Sequence, residues 1–514
     1  MAMVPLHHLK RHEEILDCLP AHGVMKRATL SALAVGGLRG QDRISALPDD
    51  LRLDIVSRLP VTEAARTTAL SRHWRPIWSS VPLSLYDAHL LPSRSIWRAD
   101  VIDRVLTGHP GPFRAVHLKN CFFDSRVPAL ERWSSLLAAR GVEDLVLIRL
   151  LPHDEKPGRD EPLRLPAAIL RCANLRRLYL GFWTFPDTSD LPDGAGTFPH
   201  LEELGILDTR VESRDLDHML DSSPALKKLA LSGNQLPEHV HLRGQSLQCV
   251  LFWRTDEVLG VVNASSLERL IMWKTYVELE IASAPELKVL GYLQPTVCQL
   301  QIGDTFIKVD TKASPSSMIP SVKILALKVD FSGFTEVQMM ASFLRCFPNI
   351  ETLHVECYHH DVPKLLEGAH MPNAFYWLGD APDEPISGKQ DVKFYENISP
   401  IECVQSKIKK VVLHNFRGLQ TEIDFLKYLS QRANEMQQLT LALPHLPDEI
   451  SVAEIKGALG ELVIPPWASE ACTLLLVGPP VKLACSFHRA SDLSMHDPFL
   501  SDDGQELFRF TKEI

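Results

Sequence analysis

A pattern of the form apolar-x-x-apolar-x-apolar recurs twelve times in this 514-residue chain. It reads FRAVHL from Phe113, VEDLVL from Val142, LRRLYL from Leu175, LEELGI from Leu201, LKKLAL from Leu226 and LQCVLF from Leu247. It continues as LERLIM from Leu267, LKVLGY from Leu287, VKILAL from Val322, IETLHV from Ile350, IKKVVL from Ile408 and MQQLTL from Met436. From Leu175 to Leu287 the starts fall 26, 25, 21, 20 and 20 residues apart. Each unit offers one short strand whose last two apolar residues point to one side. One such strand cannot close a core, so neighbours must stack. Small-residue or proline lead-ins such as SSPALKKL, ASSLERL and CFPNIETL mark the turn into each strand. Turn-rich insertions at 152–162 and 379–391 account for the longer steps. The expected class is α/β: a solenoid of parallel strands, with helices or turns on its convex side.

Side chains alternate across a strand, so the residues flanking each inward pair face the concave side. In the regular run these are Cys249, Leu251 and Trp253, then Arg269, Ile271 and Trp273, then Val289, Gly291 and Leu293. Trp253 and Trp273, one repeat apart, belong on adjacent strands. Exposed apolar groups at that density mark a binding surface. Leu251, Trp253, Arg269, Ile271, Trp273 and Leu293 are therefore the candidate substrate-binding patch. The competing expectation is that an insertion or the C-terminal segment covers it, or that a one-residue slip turns it inward. Glu203, Gly205, Leu207, Lys228, Ala230 and Ser232 give the preceding units a more polar face.

A different text precedes the repeats: ALPDDLRLDIVSRLPVTEAARTTALSRHWRPIWSS, residues 46–80. Leu51, Ile55 and Leu59 fall at i, i+4 and i+8, on one face of a helix that follows Pro48, with Asp49 or Asp50 to cap it and Pro60 to stop it. Thr62 is placed to cap a second helix. Leu70, Trp74 and Trp78 repeat the spacing, with Pro76 kinking or ending the run. About 40 residues bury too little surface to be stable alone. These leucines and tryptophans need another surface, on this chain or on a second protein.

The same residues resemble an F-box of the form found in large plant families, through Leu47, Pro48, Leu51, Ile55, Leu59, Pro60, Val61, Ala65, Leu70, Ser71, Trp74 and Trp78. The resemblance implies docking onto the small Skp-type adaptor of a cullin–RING ubiquitin ligase. It makes Leu47, Pro48, Leu51, Ile55, Leu59, Pro60, Val61, Leu70, Trp74 and Trp78 the candidate adaptor contacts. Arg52 and Leu53 depart mildly from the leucine-rich text of many relatives. The repeats resemble the irregular leucine-rich repeats that follow such modules. FRG…E..FLKYL…A…M..LTL, within 397–445, resembles the FBD segment that closes many plant F-box/leucine-rich-repeat chains. The expected division is a loose lead (1–42), the F-box (43–82), a linker (83–112), the solenoid (113–396), an FBD-like cap (397–470) and a tail without assigned role (471–514). The function so implied is the substrate-recognition subunit of an SCF-type E3 ligase. The alternative is an adaptor-binding scaffold with no part in ubiquitylation.

Other chemistry finds little text. There is no phosphate-binding glycine loop, dinucleotide fingerprint, zinc-protease motif or serine nucleophile elbow. His7, His8 and His12, then Glu356 with His359, His360 and Asp361, and Cys485 with His488 and His496 each lack a second ligand set at zinc spacing. No cofactor, no metal and no catalytic residue are expected. A net charge of −10 argues against a general nucleic-acid binder, and no apolar run reaches the roughly 20 residues of a membrane helix. MAMVPLHHLKRHEEILDCLP is too charged for a signal peptide, and the ten scattered cysteines form no Cys-x-x-Cys pair. The expected location is therefore cytoplasm or nucleus, with reduced thiols.

Overall fold

The computed structural model describes residues 16, 19, 47–90, 98–121, 123, 127–149, 163–189, 191, 197–233, 235–253, 258–273, 278–358, 395, 398–444, 455, 457, 459–460, 467–479, 487–500 and 506–511. The chain forms two compact units, Met1–Glu238 and His239–Ile514.

The first unit opens with three short helices: α1 (Asp49–Ser57), α2 (Val61–Arg66) and α3 (Trp74–Ser80). Prolines set two of the starts. Pro48 and Pro60 occupy the N-cap positions, and neither cap makes a side-chain hydrogen bond. Asp49, Asp50 and Thr62 thus lie inside first turns instead of capping them. The acids still complement the positive end of the helix. Pro60 starts α2, and α1 has already closed at Ser57. Pro76 does not end the last helix. It sits in the first turn of α3, where a missing N–H breaks no helical bond.

Six parallel strands follow, in the order β1 (Leu83–Tyr86), β2 (Phe113–Cys121), β3 (Asp144–Arg149), β4 (Arg177–Gly181), β5 (Glu203–Leu207) and β6 (Lys228–Ser232). The stretch expected to be a linker, 83–112, supplies β1 and the helix Arg98–Gly108. Leu178, Leu180, Leu204, Ile206, Leu229 and Leu231 point to one side and are at most 1% exposed.

The second unit carries nine strands of one sheet, in the order β8 (Cys249–Trp253), β10 (Arg269–Trp273), β12 (Val289–Leu293), β15 (Ile324–Val329), β16 (Thr352–Cys357), β17 (Lys410–His414), β18 (Gln438–Ala442), β19 (Thr473–Val477) and β20 (Glu506–Thr511). All pair in parallel except the last, which returns antiparallel to β19. All twelve repeats of the apolar pattern lie on strands of the two units. The stretch expected to be a tail adds β19 and β20.

The convex side differs between long and short repeats. Long repeats carry helices, such as Ser213–Asp221, Phe334–Cys346 and Gln420–Arg432. The repeats that start at Leu226, Leu247, Leu267 and Leu287 carry no α-helix there, and the first three, 20 or 21 residues long, have no room for one. They return through β7 (His239–Arg243), β9 (Val258–Asn263), β11 (Glu278–Ile281) and β13 (Gln299–Ile302), a second parallel sheet closed by β14 (Thr305–Phe306). Their alternation, as in HVHLR and ELEI with Val240, Leu242, Leu279 and Ile281 buried, is the period-two signature of a half-buried strand.

Gly205 on β5 makes room for its neighbour. A Cβ there would lie 2.2 Å from Cδ1 of Tyr179, the residue paired with it on β4. Gly205→Ala should push the Tyr179 ring off its seat and destabilise the fold by about 1–3 kcal/mol. Urea unfolding of the full chain measures it, and an unchanged midpoint would refute this packing.

Candidate functional site

The helical module divides its apolar residues between two directions. Val56, Val61, Ala64, Trp74 and Ile77 are at most 4% exposed and form its interior. Arg52 lies over the Trp74 ring, 5.9 Å from its centroid, and pairs with Asp49. Trp78 is half-buried and meets His109 edge-on at 4.9 Å. Three large apolar side chains point outward: Leu51 (51% exposed), Ile55 (41%) and Leu70 (67%). Pro48 is also exposed, and Leu47, Leu59 and Pro60 are half-buried. Val61 and Trp74, counted with the outward contacts on sequence, instead hold the module together. For Trp74 the reason is a break in the expected i, i+4, i+8 run. Leu70 belongs to the turn before α3, so it does not share a helix face with Trp74 and Trp78.

In the first unit the concave face is a polar ladder. Tyr86 packs edge-on against His117 at 4.8 Å. His117 Nε2 lies 3.1 Å from Asp144, whose other oxygen is 2.6 Å from Arg177. On the next strands Tyr179 donates to Glu203 at 3.2 Å, and Lys228 to Glu203 at 3.1 Å. A recess of about 480 Å³ at one end of these repeats is lined by Arg164, Thr184, Asp187, Arg210, Glu212 and Asp215. Its acids are already engaged: Asp215 accepts from the Thr188 amide and hydroxyl, and Asp187 pairs with Arg214 at 2.8 Å.

In the second unit, Leu251, Arg269, Ile271, Trp273 and Leu293 are at most 7% exposed, and Trp253 is half-buried. The register is the expected one on the first two strands: Cys249, Leu251 and Trp253 pair with Arg269, Ile271 and Trp273. The two indoles lie 6.3 Å apart. The register then shifts between Leu290 and Leu293. Leu293 pairs with Leu327 and is wholly buried, while Tyr292 meets Trp273 edge-on at 4.9 Å. The floor is not open. The chain's own residues 487–499, from the short helix Phe487–Ser491 onward, lie across it. The Arg269 guanidinium donates to the carbonyls of Ala490 (3.2 Å), Asp492 (2.9 Å), Leu493 (3.4 Å) and Met495. Phe499 is fully buried, 5.0 Å from the Tyr292 ring and 5.4 Å from the His354 ring. The patch expected to be an open binding surface is thus covered by the C-terminal segment.

His354 and His414 also stand on this floor, at concave positions of β16 and β17 that alternation alone identifies, though neither belongs to a recognisable motif. His354 bridges the two elements: one ring nitrogen is 3.0 Å from His414 Nε2, the other 3.0 Å from Asp497 Oδ2. Burial, with His354 beside it, pushes His414 down to about 3. Burial alone would raise Asp497. The hydrogen bond and charge of His354 and the Phe499 amide outweigh it, so the carboxyl sits below its usual range.

The eight described cysteines are all buried. Burial lifts Cys172, Cys298, Cys346, Cys403 and Cys472 to about 12, which holds them as thiols. Among the described residues no cluster of His, Cys, Asp and Glu is arranged to hold a metal ion, and no helix is long and apolar enough to cross a membrane. His7, His8, His12, His359, His360, Asp361 and Cys485 lie outside the described residues.

These pKa directions set a pH dependence. On unfolding, His414 returns from about 3 toward its ordinary value of 6.5. The unfolded state therefore binds the proton first, and stability falls as pH drops below about 6.5. His109 and His117, also lowered chiefly by burial, act in the same direction. Melting temperatures should decline from pH 7.5 to 5. In urea titrations His414→Gln should remove up to about 1.4 kcal/mol per pH unit of that slope. A pH-independent stability would contradict a buried neutral His414.

Comparison with known proteins follows the same division. A family model described as F-box domain matches residues 44–86. One described as FBD-associated F-box protein At5g56370, LRR repeats, matches 130–355, and the FBD model matches 396–441. The chain is 25% identical over 430 residues to the Arabidopsis thaliana putative FBD-associated F-box protein At5g56440, covering 78% of this chain and 92% of that one. It is 30% identical over 262 residues to the F-box/LRR-repeat protein At3g26922 of the same plant, covering 48% of this chain and 80% of the relative. With the F-box/FBD/LRR-repeat protein At1g13570, also of Arabidopsis thaliana, it shares 30% identity over 198 residues, 37% of this chain and 44% of the other. A helical module with outward leucines, stacked parallel repeats and a closing strand–helix–strand unit are thus found together with these matches, and the chain belongs to the plant F-box/leucine-rich-repeat proteins that carry an FBD segment.

Proposed function

We propose that this protein is the non-catalytic substrate-recognition subunit of an SCF-type E3 ubiquitin ligase, working in the cytoplasm or nucleus. The F-box holds a Skp-type adaptor, and the solenoid holds the protein to be ubiquitylated. Catalysis is then proximity: the assembly raises the effective concentration of charged ubiquitin near a target lysine. The observation that carries this reading is the outward set of Leu51, Ile55 and Leu70 on a module whose own interior is already filled by Val56, Val61, Trp74 and Ile77. Burying one such leucine in a partner is worth about 1.5–3 kcal/mol. In this reading Leu47, Pro48, Leu59, Pro60 and Trp78 border the contact, while Val61 and Trp74 support it from beneath.

A second reading is favoured by one observation: residues 487–499 already cover the apolar concave floor. A protein with that face permanently filled would serve as an adaptor-bound scaffold and direct no ubiquitylation. Reconstitution with adaptor, cullin, RING subunit and charged ubiquitin-conjugating enzyme separates the two, since only a receptor transfers ubiquitin to a captured partner.

Co-expression of the full chain with a Skp-type adaptor should yield a stable complex. Leu51→Glu with Leu70→Glu should weaken adaptor capture at least about tenfold without moving the melting temperature. Trp74→Ala should instead lower stability. Full adaptor affinity in the double variant would remove the basis of this assignment.

A further inference from the structure

The covering segment has the form of a ligand. It contributes no strand to the ladder beneath it, and the hydrogen bonds described between the two engage side chains of the floor. Arg269 is bonded to four main-chain carbonyls, at 490, 492, 493 and 495, and Cys249 approaches the first of them at 3.4 Å. Main-chain carbonyls belong to every polypeptide, so this clamp reads a helical turn and its exit and ignores side-chain identity. Selectivity comes from two residues. Asp497 meets His354 at 3.0 Å, and Phe499 fills the corner between Tyr292 and His354. An Asx turn, with the Phe499 amide on Asp497 Oδ1 at 3.1 Å, fixes their spacing.

The fit is incomplete. Trp273 Nε1 is buried and has no acceptor among the described residues. A buried donor left without a partner costs about 1–3 kcal/mol. Trp253, beside it, is still half-buried, so the indole end of the floor is only partly covered. A segment held by side-chain contacts can lift away without breaking the parallel ladder beneath it.

Resting on the receptor reading above, we propose that residues 487–499 are a built-in occupant of a peptide-binding face. The partner this face takes is a protein segment of the same chemistry: the carbonyl end of a helical turn, followed a few residues on by an aspartate two places before an aromatic ring. Such a segment adds a carbonyl or carboxylate to Trp273 Nε1. The tethered occupant competes at high effective concentration, so a partner in trans binds in proportion to the fraction of chains whose face is open.

The probe is a synthetic peptide of residues 487–500, capped at both ends and carrying a fluorophore, titrated into the full chain. Wild type should bind it at least tenfold more weakly than the Asp497→Ala/Phe499→Ala variant, whose own segment is loosened. Adding Arg269→Ala or His354→Ala to that variant should abolish binding, as should replacing the aspartate and phenylalanine of the peptide. Equal affinity for wild type and loosened variant, or no binding by either, would overturn the inference. Hydrogen exchange on the unaltered protein decides the matter if the variant does not fold. Amides of 487–499 should exchange at least tenfold faster than those of β8, β10 and β12, and exchange at the rate of those strands would identify a permanent core. Adaptor capture is measured on the same preparations. Lost capture with retained peptide binding counts against the receptor reading alone, and the reverse counts against this inference alone.

Discussion

No repeat in this chain can bury its own apolar pair. That constraint governs the architecture. A strand such as Leu204-Gly205-Ile206 has its two large side chains covered only because Leu178 and Leu180 lie in register on one side and Leu229 and Leu231 on the other. Stability is therefore shared between neighbours, and the ends carry a special burden. At the first strand, β1 follows directly from the helical module, and Val81, Leu83 and Leu85 are buried there. At the last, β20 turns antiparallel against β19 and ends the parallel run.

The two large apolar surfaces answer that constraint in opposite ways. The helical module satisfies its interior with Trp74 and Ile77 and leaves Leu51, Ile55 and Leu70 in solvent. The concave floor of the second unit leaves almost nothing in solvent. Arg269, His354 and Tyr292 are covered by a segment that returns from near the C-terminus, and of the two tryptophans only Trp253 stays half-buried. An arginine among apolar groups is costly unless its donors are used, and main-chain carbonyls use them. The same holds for His354, which lies between Asp497 and His414 with both ring nitrogens engaged.

Much of this was legible in the sequence. The twelve apolar patterns mark strands, and the pairing of Trp253 with Trp273 follows from a repeat of 20 residues. Leu51 and Ile55 were readable as one helix face, and their exposure is consistent with a surface that needs a second chain. Other elements misled for definite reasons. Leu70 shares a spacing with Trp74 and Trp78, but spacing has meaning only within one continuous helix, and the chain turns between Ser71 and His73. Leu293 was placed by alternation, which fails once the register shifts by a residue on β12. Segments such as HVHLR and ELEI carried a clear period of two, yet helices or turns were expected of every convex side.

Local pattern by itself determined where the strands run, which residues alternate to which face, and that one short helical module is too small to stand without further contacts. These are short-range properties, set by backbone periodicity and by the cost of leaving apolar groups in water. What lies over each face was decided only by the tertiary structure. Asp497 reaches His354 across 143 residues of sequence, and Ala490 reaches Arg269 across 221. Alternation states the direction in which a side chain points. It holds no information about which distant segment will meet it, because that choice depends on packing and polar pairing that only the folded chain brings together.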